Sequence, residues 1–341
     1  MSGPDGQDEG AEHGPVDEFD WIERCLRPLA AGAPEALGLL DDAAVIPARP
    51  GFDLVVTKDA MVEGVHFLAS DPLDLVAGKL LRVNLSDLAA KGAEPYGYFL
   101  AVAWPAGGGW PQRRAFAHGL RGDQDRFGLK LFGGDTVSTP GPLTASLTLL
   151  GWVPAGRMIR RGGARPGDVV LVTGSIGDGG LGLKAARGEA IGLDGAAGAW
   201  LKARYQTPQP RLGLGEAFRR WASAAADVSD GLIADAGRIA EASGVRITLD
   251  LDRTPLSPAT GAWAQLQPDP AAALLALAAS GDDYEIVCTA APAAAAGLRG
   301  AAEALGIPMT EIGLVSAGSG VGVENGGRAV AVARAGWRHG Q

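Results

Sequence analysis

The sequence predicts a mixed α+β protein in two domains. Three observations carry this. The chain has 341 residues, and domains run to roughly 150 residues each. Strand-like and helix-like segments alternate, but several strand segments lack a crossover helix directly after them, which favours α+β domains over a regular doubly wound sheet. The composition also changes after the strand-like run 143–153, because residues 156–167 are rich in Arg, Gly and Pro. The boundary therefore falls near Pro154, giving domains over 17–153 and 154–341. An acidic, Gly-rich tail over 1–16 precedes them; it lacks the apolar run of a signal peptide and has the composition of a disordered segment.

The elements follow in order. Phe19, Ile22, Cys25 and Leu26 recur at helical spacing, so a first helix starts near Val16. Residues 52–56 read as a strand running into Thr57-Lys58-Asp59, which puts Asp59 at a strand end. A helix over 72–91 is capped by Ser70 or Asp71, has Pro72 in its first turn and stops at Gly92. Within it Leu80, Val83, Asn84 and Asp87 share one face, and polar groups on an apolar stripe are poor core residues unless they face ligands. A strand over 168–173 leads through a glycine-rich turn to a helix near 181–187. A short strand at 224–227 precedes a helix over 231–243 that Gly244 ends. Strands at 246–251 and 284–289, with Ala-rich helices at 271–279 and 291–303, complete the reading.

Composition narrows the function. With 47% apolar and 20% charged residues the chain can build ordinary cores, and a net charge of −9 argues against nucleic acid. No apolar run reaches the ~18 residues that span a bilayer. Cys25 and Cys288 form no disulfide framework or zinc spacing, which fits a reducing cytoplasm. The string from Gly177 to Gly182 matches G-x-G-x-x-G but lacks the acidic strand end that dinucleotide binding needs, so it reads as a plain flexible turn. P-loop and protein-kinase strings are absent. None of the four His residues pairs at zinc-like spacing. Arg160-Arg161 stands in a Gly-rich loop, where a guanidinium fork suits phosphate oxygens.

The most informative pattern is acidic. Seven aspartates sit in five short motifs. They are Leu40-Asp41-Asp42-Ala43, Thr57-Lys58-Asp59, Asn84-Leu85-Ser86-Asp87, Gly133-Gly134-Asp135-Thr136 and Asp227-Val228-Ser229-Asp230-Gly231. Each Asp alone also reads as a cap or turn residue. Gathered together they would repel one another strongly without a counter-charge. Mg²⁺ takes such oxygen donors and in such sites usually holds a phosphorylated substrate.

Seven ordered strings make the chain resemble the thiamine-monophosphate kinase family, of the superfamily that includes aminoimidazole ribonucleotide synthetase. They are DDAAV (41–45), TKDAMVEGVHF (57–67), NLSDLAAKGAEP (84–95), GGDT (133–136), RRGGARPGD (160–168), DVSDGL (227–232) and GDDYE (281–285). The resemblance spans roughly residues 17 to 339. It implies an N-terminal α/β domain that pairs with its twin in a homodimer, followed by a C-terminal α+β domain. It implies transfer from ATP to thiamine monophosphate, giving thiamine diphosphate and ADP. By this resemblance Asp42, Thr57, Asp59, Asp87, Asp135, Asp227 and Asp230 would bind several Mg²⁺ ions. Gly134, Asp135, Arg161 and Ser229 would contact ATP, and His66, Asp282 and Trp337 would contact the other substrate. The chain departs from the family pattern at four positions. Leu40 replaces the usual Gly, Lys58 a Ser or Thr, Asp282 a Glu, and Trp337 a Tyr or Phe. A purine-pathway synthetase and a non-catalytic nucleotide-binding relative are the alternatives. GVHF and GDDYE speak against the first, and retention of every Asp against the second.

Overall fold

The computed structural model describes residues 16–337. The tail expected over 1–16 lies, through residue 15, outside them, as do His13 and His339. The chain divides into two compact units that are not simply consecutive. The first holds residues 1–50, 56–84 and 95–152, and the second holds 51–55, 85–94 and 153–341.

In the first unit Asp17 caps α1 (Glu18–Trp21) by accepting from Phe19 N at 2.8 Å. The helix expected here is short, because the chain loosens into a π-helical turn at Ile22–Leu26 and a 3₁₀ turn at Arg27–Ala30. Then come β1 (Phe52–Val62), α2 (Leu73–Ala90), β2 (Glu94–Pro105), α3 (Trp110–Phe127), β3 (Leu131–Thr139) and β4 (Thr144–Pro154). The four strands form one sheet in the order β1-β4-β2-β3. Strands β2 and β3 are parallel neighbours, with α3 as the crossover that parallel pairing requires. Gly128, in left-handed backbone at φ 67°, ends α3. A buried bidentate pair ties α2 to α3, with Arg82 donating to Asp123 at 2.6 and 2.7 Å.

In the second unit come β5 (Val169–Thr173), α4 (Asp178–Ala186), α5 (Gly195–Gln206), α6 (Gly215–Trp221), β6 (Ala224–Asp227), α7 (Leu232–Ser243) and β7 (Arg246–Asp250). They are followed by α8 (Pro258–Gln265), α9 (Pro270–Ala278), β8 (Ile286–Ala290), α10 (Pro292–Ala304), β9 (Met309–Ser316), β10 (Gly320–Asn325) and β11 (Arg328–Ala329). Seven strands form the sheet β11-β10-β7-β9-β5-β8-β6. Only β7 and β10 pair in parallel within it, so the unit is α+β, as expected.

This sheet is buried on both faces. Successive strand residues point to opposite sides, and β5 shows the result. Val170 and Val172 join the core under α7, with Ile233, Ala236 and Ile239. Val169 and Leu171 join the opposite core, with Phe218 of α6 and Leu298 of α10. Cys288 of β8 belongs to that second core, where burial pushes its thiol up to about 12. A third cluster, built on Leu181, Leu201 and Leu277, packs α4, α5 and α9 together.

Candidate active site

In the first unit the Asp41-Asp42 and 133–136 motifs meet at one cavity beside β3, while Thr57-Lys58-Asp59 lies on β1, the opposite edge of the sheet. Gly134 lies opposite Leu100 of β2 in the parallel ladder. A side chain there would put its Cβ 1.7 Å from the Leu100 carbonyl oxygen, so only glycine permits this register. The next residue, Asp135, is exposed, and Thr136 is buried. Asp41, Asp42, Phe99, Phe132, Gly134 and Asp135 line a cavity of 310 Å³. Three residues named by the resemblance, Asp42, Gly134 and Asp135, therefore line one cavity.

Thr57 and Asp59 lie within β1, which continues to Val62. This corrects the expectation that Asp59 stands at a strand end. The two are half-buried, while Lys58 between them is exposed. Alternation puts Lys58 on the opposite face of the strand. Four residues on from the end of β1, His66 Nδ1 accepts from Val62 N–H at 3.1 Å, so the neutral ring carries its proton on Nε2. Asn84, expected to face a ligand, is instead fully buried and donates to the Leu80 carbonyl at 2.9 Å. Its side-chain oxygen and the Ser86 hydroxyl are buried without a hydrogen-bond partner.

In the second unit β6 delivers Asp227, 4% exposed, to the loop that opens α7. Gly231 precedes α7 at φ 125°. A Cβ there would meet Ala279 backbone at 2.9 Å. The loop is held from below by Asp235, whose one carboxylate oxygen accepts from Ser229 N at 3.1 Å and Asp230 N at 3.0 Å. Arg238 donates to the other Asp235 oxygen at 2.8 Å and also pairs with the Asp230 carboxylate. Burial, partly offset by Arg238, pushes the Asp235 carboxyl up to about 6.

Asp282 and Trp337 attach to the same loop through their backbones. Asp282 N donates to Ser229 O at 2.9 Å, and Trp337 N to Asp230 O at 2.9 Å. The Trp337 ring is 47% exposed, with the Arg334 guanidinium 5.5 Å from its centroid. Arg161 is exposed, and its carbonyl accepts from Ser243 at 3.1 Å.

Sequence reasoning passed over several residues here. Lys91, which donates to the Ala225 carbonyl at 2.9 Å, has its ammonium lowered by burial and by Arg161. The opposing pull of Asp227 and Asp87 places Lys91 electrostatically among the acidic motifs. Asp235 and Arg238 stood in plain view downstream of DVSDG at helical spacing. The glycine-rich string at 177–182 proves to be no plain flexible turn. Gly177 N and Gly179 N donate to the buried Asp283 carboxylate at 2.8 and 2.9 Å.

The donor chemistry bears on metal binding. Among the described residues, no three His, Cys, Asp or Glu side chains gather closely enough to hold a metal ion. Mg²⁺ does not need such a cage, since it is commonly held by one or two carboxylates together with substrate phosphates and water. The side chains at the β3 cavity that can ligate offer oxygen alone, from Glu18, Asp41, Asp42, Asp135 and Thr136, and so fit that mode.

Comparison with known proteins agrees. Residues 40–153 match the N-terminal domain of AIR synthase related proteins, and residues 165–325 match their C-terminal domain. A thiamine-monophosphate kinase of Caulobacter vibrioides is 56% identical over 326 residues, covering 96% of this chain and 92% of the relative. The crystal structure of a thiamine-monophosphate kinase from Stenotrophomonas maltophilia K279a is 38% identical with a TM-score of 0.79, covering 92% of this chain and 98% of that one. A structure described as AaThiL complexed with AMPPCP and TMP is 28% identical with a TM-score of 0.74, covering 94% of this chain and 96% of that one. With both domain types matched and more than half of the residues shared with a relative along nearly the whole chain, this protein belongs to the thiamine-monophosphate kinase family.

Proposed function

We propose that this protein phosphorylates thiamine monophosphate with ATP, giving thiamine diphosphate and ADP, and requires Mg²⁺. The carrying observation is the cavity that Asp41 and Asp42, from the loop before β1, line together with Gly134 and Asp135 of β3. A relative crystallised with AMPPCP and TMP supports the choice of substrates. Asp42, Thr57, Asp59 and Asp135 of the first unit, and Asp87, Asp227 and Asp230 of the second, are the proposed Mg²⁺ ligands. When bound, Mg²⁺ neutralises phosphate charge and stabilises the transferring group.

The protein's own groups do the rest. Gly134 leaves its backbone open to close approach by ATP, beside Asp135. Arg161 supplies a fork for phosphate oxygens. Ser229 contacts ATP from a loop whose N–H groups Asp235 already holds in place. His66 presents Nε2–H, Asp282 a carboxylate and Trp337 an indole face to the thiamine moiety, and a cationic thiazolium suits an aromatic face. No nucleophile of the chain is assigned to the reaction. The Cys288 thiol lies in the core, and burial raises that of Cys25. The acceptor phosphate has its second pKa near ~6 and is mostly ionised at neutral pH, so it attacks directly without a strong base.

The test is incubation with ATP, MgCl₂ and thiamine monophosphate, followed by chromatography. Thiamine diphosphate and ADP should form in equal amounts, and neither should form after exhaustive chelation. Failure to form thiamine diphosphate with Mg²⁺ present would overturn the assignment.

A cytoplasmic homodimer completes the proposal. Strands β1 and β3 are the two edges of the first unit's sheet. Within that unit they expose Val56 at 57% and Val137 at 51%. Apolar edge strands are templates for pairing with another chain. No described helix is long and apolar enough to cross a membrane.

A further inference from the structure

The segment Asp282-Asp283-Tyr284 is held in a costly conformation. Asp282 at φ 67° and Tyr284 at φ 51° both occupy left-handed backbone, which residues with a side chain adopt only when their surroundings dictate it. Four hydrogen bonds do so here. Asp282 N donates to Ser229 O at 2.9 Å and Tyr284 N to Val228 O at 2.8 Å. Between them Asp283, 1% exposed, accepts from Gly177 N and Gly179 N at the start of α4, an end that favours negative charge. Glu285, fully buried, is locked in turn by Thr173 at 2.7 Å, Arg204 at 3.1 Å and Arg211 at 2.6 Å. Buried acids thus alternate with the half-buried Asp282 and Tyr284. The surrounding backbones are in contact as well. A Cβ on Gly179 would come within 2.2 Å of Asp282 O, and one on Gly281 within 2.5 Å of Ser229 O.

We infer that Asp283 is a positioning residue for substrate recognition: by clamping the Gly177–Gly179 turn it holds Asp282 where its carboxylate meets the organic part of thiamine monophosphate. The inference rests on the reading of Asp282 as a substrate contact. The nucleotide side of the same loop has a separate anchor, since Asp235 holds Ser229 and Asp230.

The test measures binding of thiamine monophosphate and of a non-hydrolysable ATP analogue by calorimetry in MgCl₂, with thermal midpoints as the check on folding. Asp283→Asn keeps the shape but can no longer accept from both N–H groups. It should weaken thiamine monophosphate about tenfold while moving the ATP analogue less than about twofold. Gly179→Ala, which pushes on Asp282 without touching any charge, should do the same and serves if Asp283→Asn fails to fold. If Asp282→Ala weakens thiamine monophosphate but Asp283→Asn and Gly179→Ala do not, or weaken both ligands equally, the positioning role is overturned. If Asp282→Ala itself leaves thiamine monophosphate binding unchanged, the substrate reading of Asp282 falls and the inference with it.

Discussion

Asp135 is the residue at which chain chemistry and local structure meet most directly. It is exposed on β3 and follows a glycine that no other residue can replace at that register. Asp135→Asn should cut turnover more than tenfold, a loss above ~1.4 kcal/mol. Its thermal midpoint should match the wild type, because the side chain is not part of a core. Steady-state rates alongside thermal melts check both halves. The cysteines allow a second prediction at this scale. With the Cys288 thiol raised to about 12 by burial, it stays protonated at pH 8, and the thiolate is the reactive form. Iodoacetamide at pH 8 should therefore leave Cys288 unmodified in the native protein and label it fully in urea, as read by mass spectrometry. Single residues were legible where a motif surrounds them. Asp42, Gly134 and Asp135 were found by their local strings and line one cavity. Asp283 was not, because its partners Gly177 and Gly179 lie more than a hundred positions earlier in the chain. Lys58, between Thr57 and Asp59 in the chain, is turned to the opposite face of β1 by strand alternation.

At the scale of elements, glycine content reads differently from place to place. Gly134→Ala should cost about 2 kcal/mol or more in urea unfolding, because the added carbon has no room between β3 and β2. Gly122→Ala, in the middle of α3 with nothing within 4 Å of the new carbon, should gain about 0.5–1 kcal/mol. Opposite signs from the same substitution would trace to backbone approach alone. Elements with clear periodicity and clear stops were legible from the chain. The helix expected over 72–91 is α2, and the strand expected over 168–173 is β5. The first helix was not, since good apolar spacing over Phe19 to Leu26 says nothing of the π-helical turn that interrupts it. Strand β1 was read too short because its polar half, Thr57-Lys58-Asp59, lacks the apolar run that marks a strand, although its hydrogen-bonded neighbour β4 sustains it.

For the molecule as a whole, the homodimer proposal is the clearest test. Light scattering on a sizing column should return twice the mass of one chain. Val56→Lys combined with Val137→Lys should return the mass of one, since charge on an exposed edge blocks pairing. An unaltered mass would place the interface elsewhere. The fold class was legible at this level because it depends on the order of strands and helices. The membership of the two units was not, because residues 51–55 and 85–94 are counted with a unit whose other residues begin at 153. That interleaving sets a timetable for synthesis. Ala89 and Ala90 belong to the same core as Leu171, Phe218 and Leu298, yet they leave the ribosome long before any of these. The first half of the nascent chain therefore carries an apolar helix end with nothing to cover it, a surface that recruits chaperones and invites aggregation while translation continues. A stop codon or frameshift after residue 153 would not release a tidy N-terminal domain, and expression of 1–153 alone should yield mainly insoluble protein.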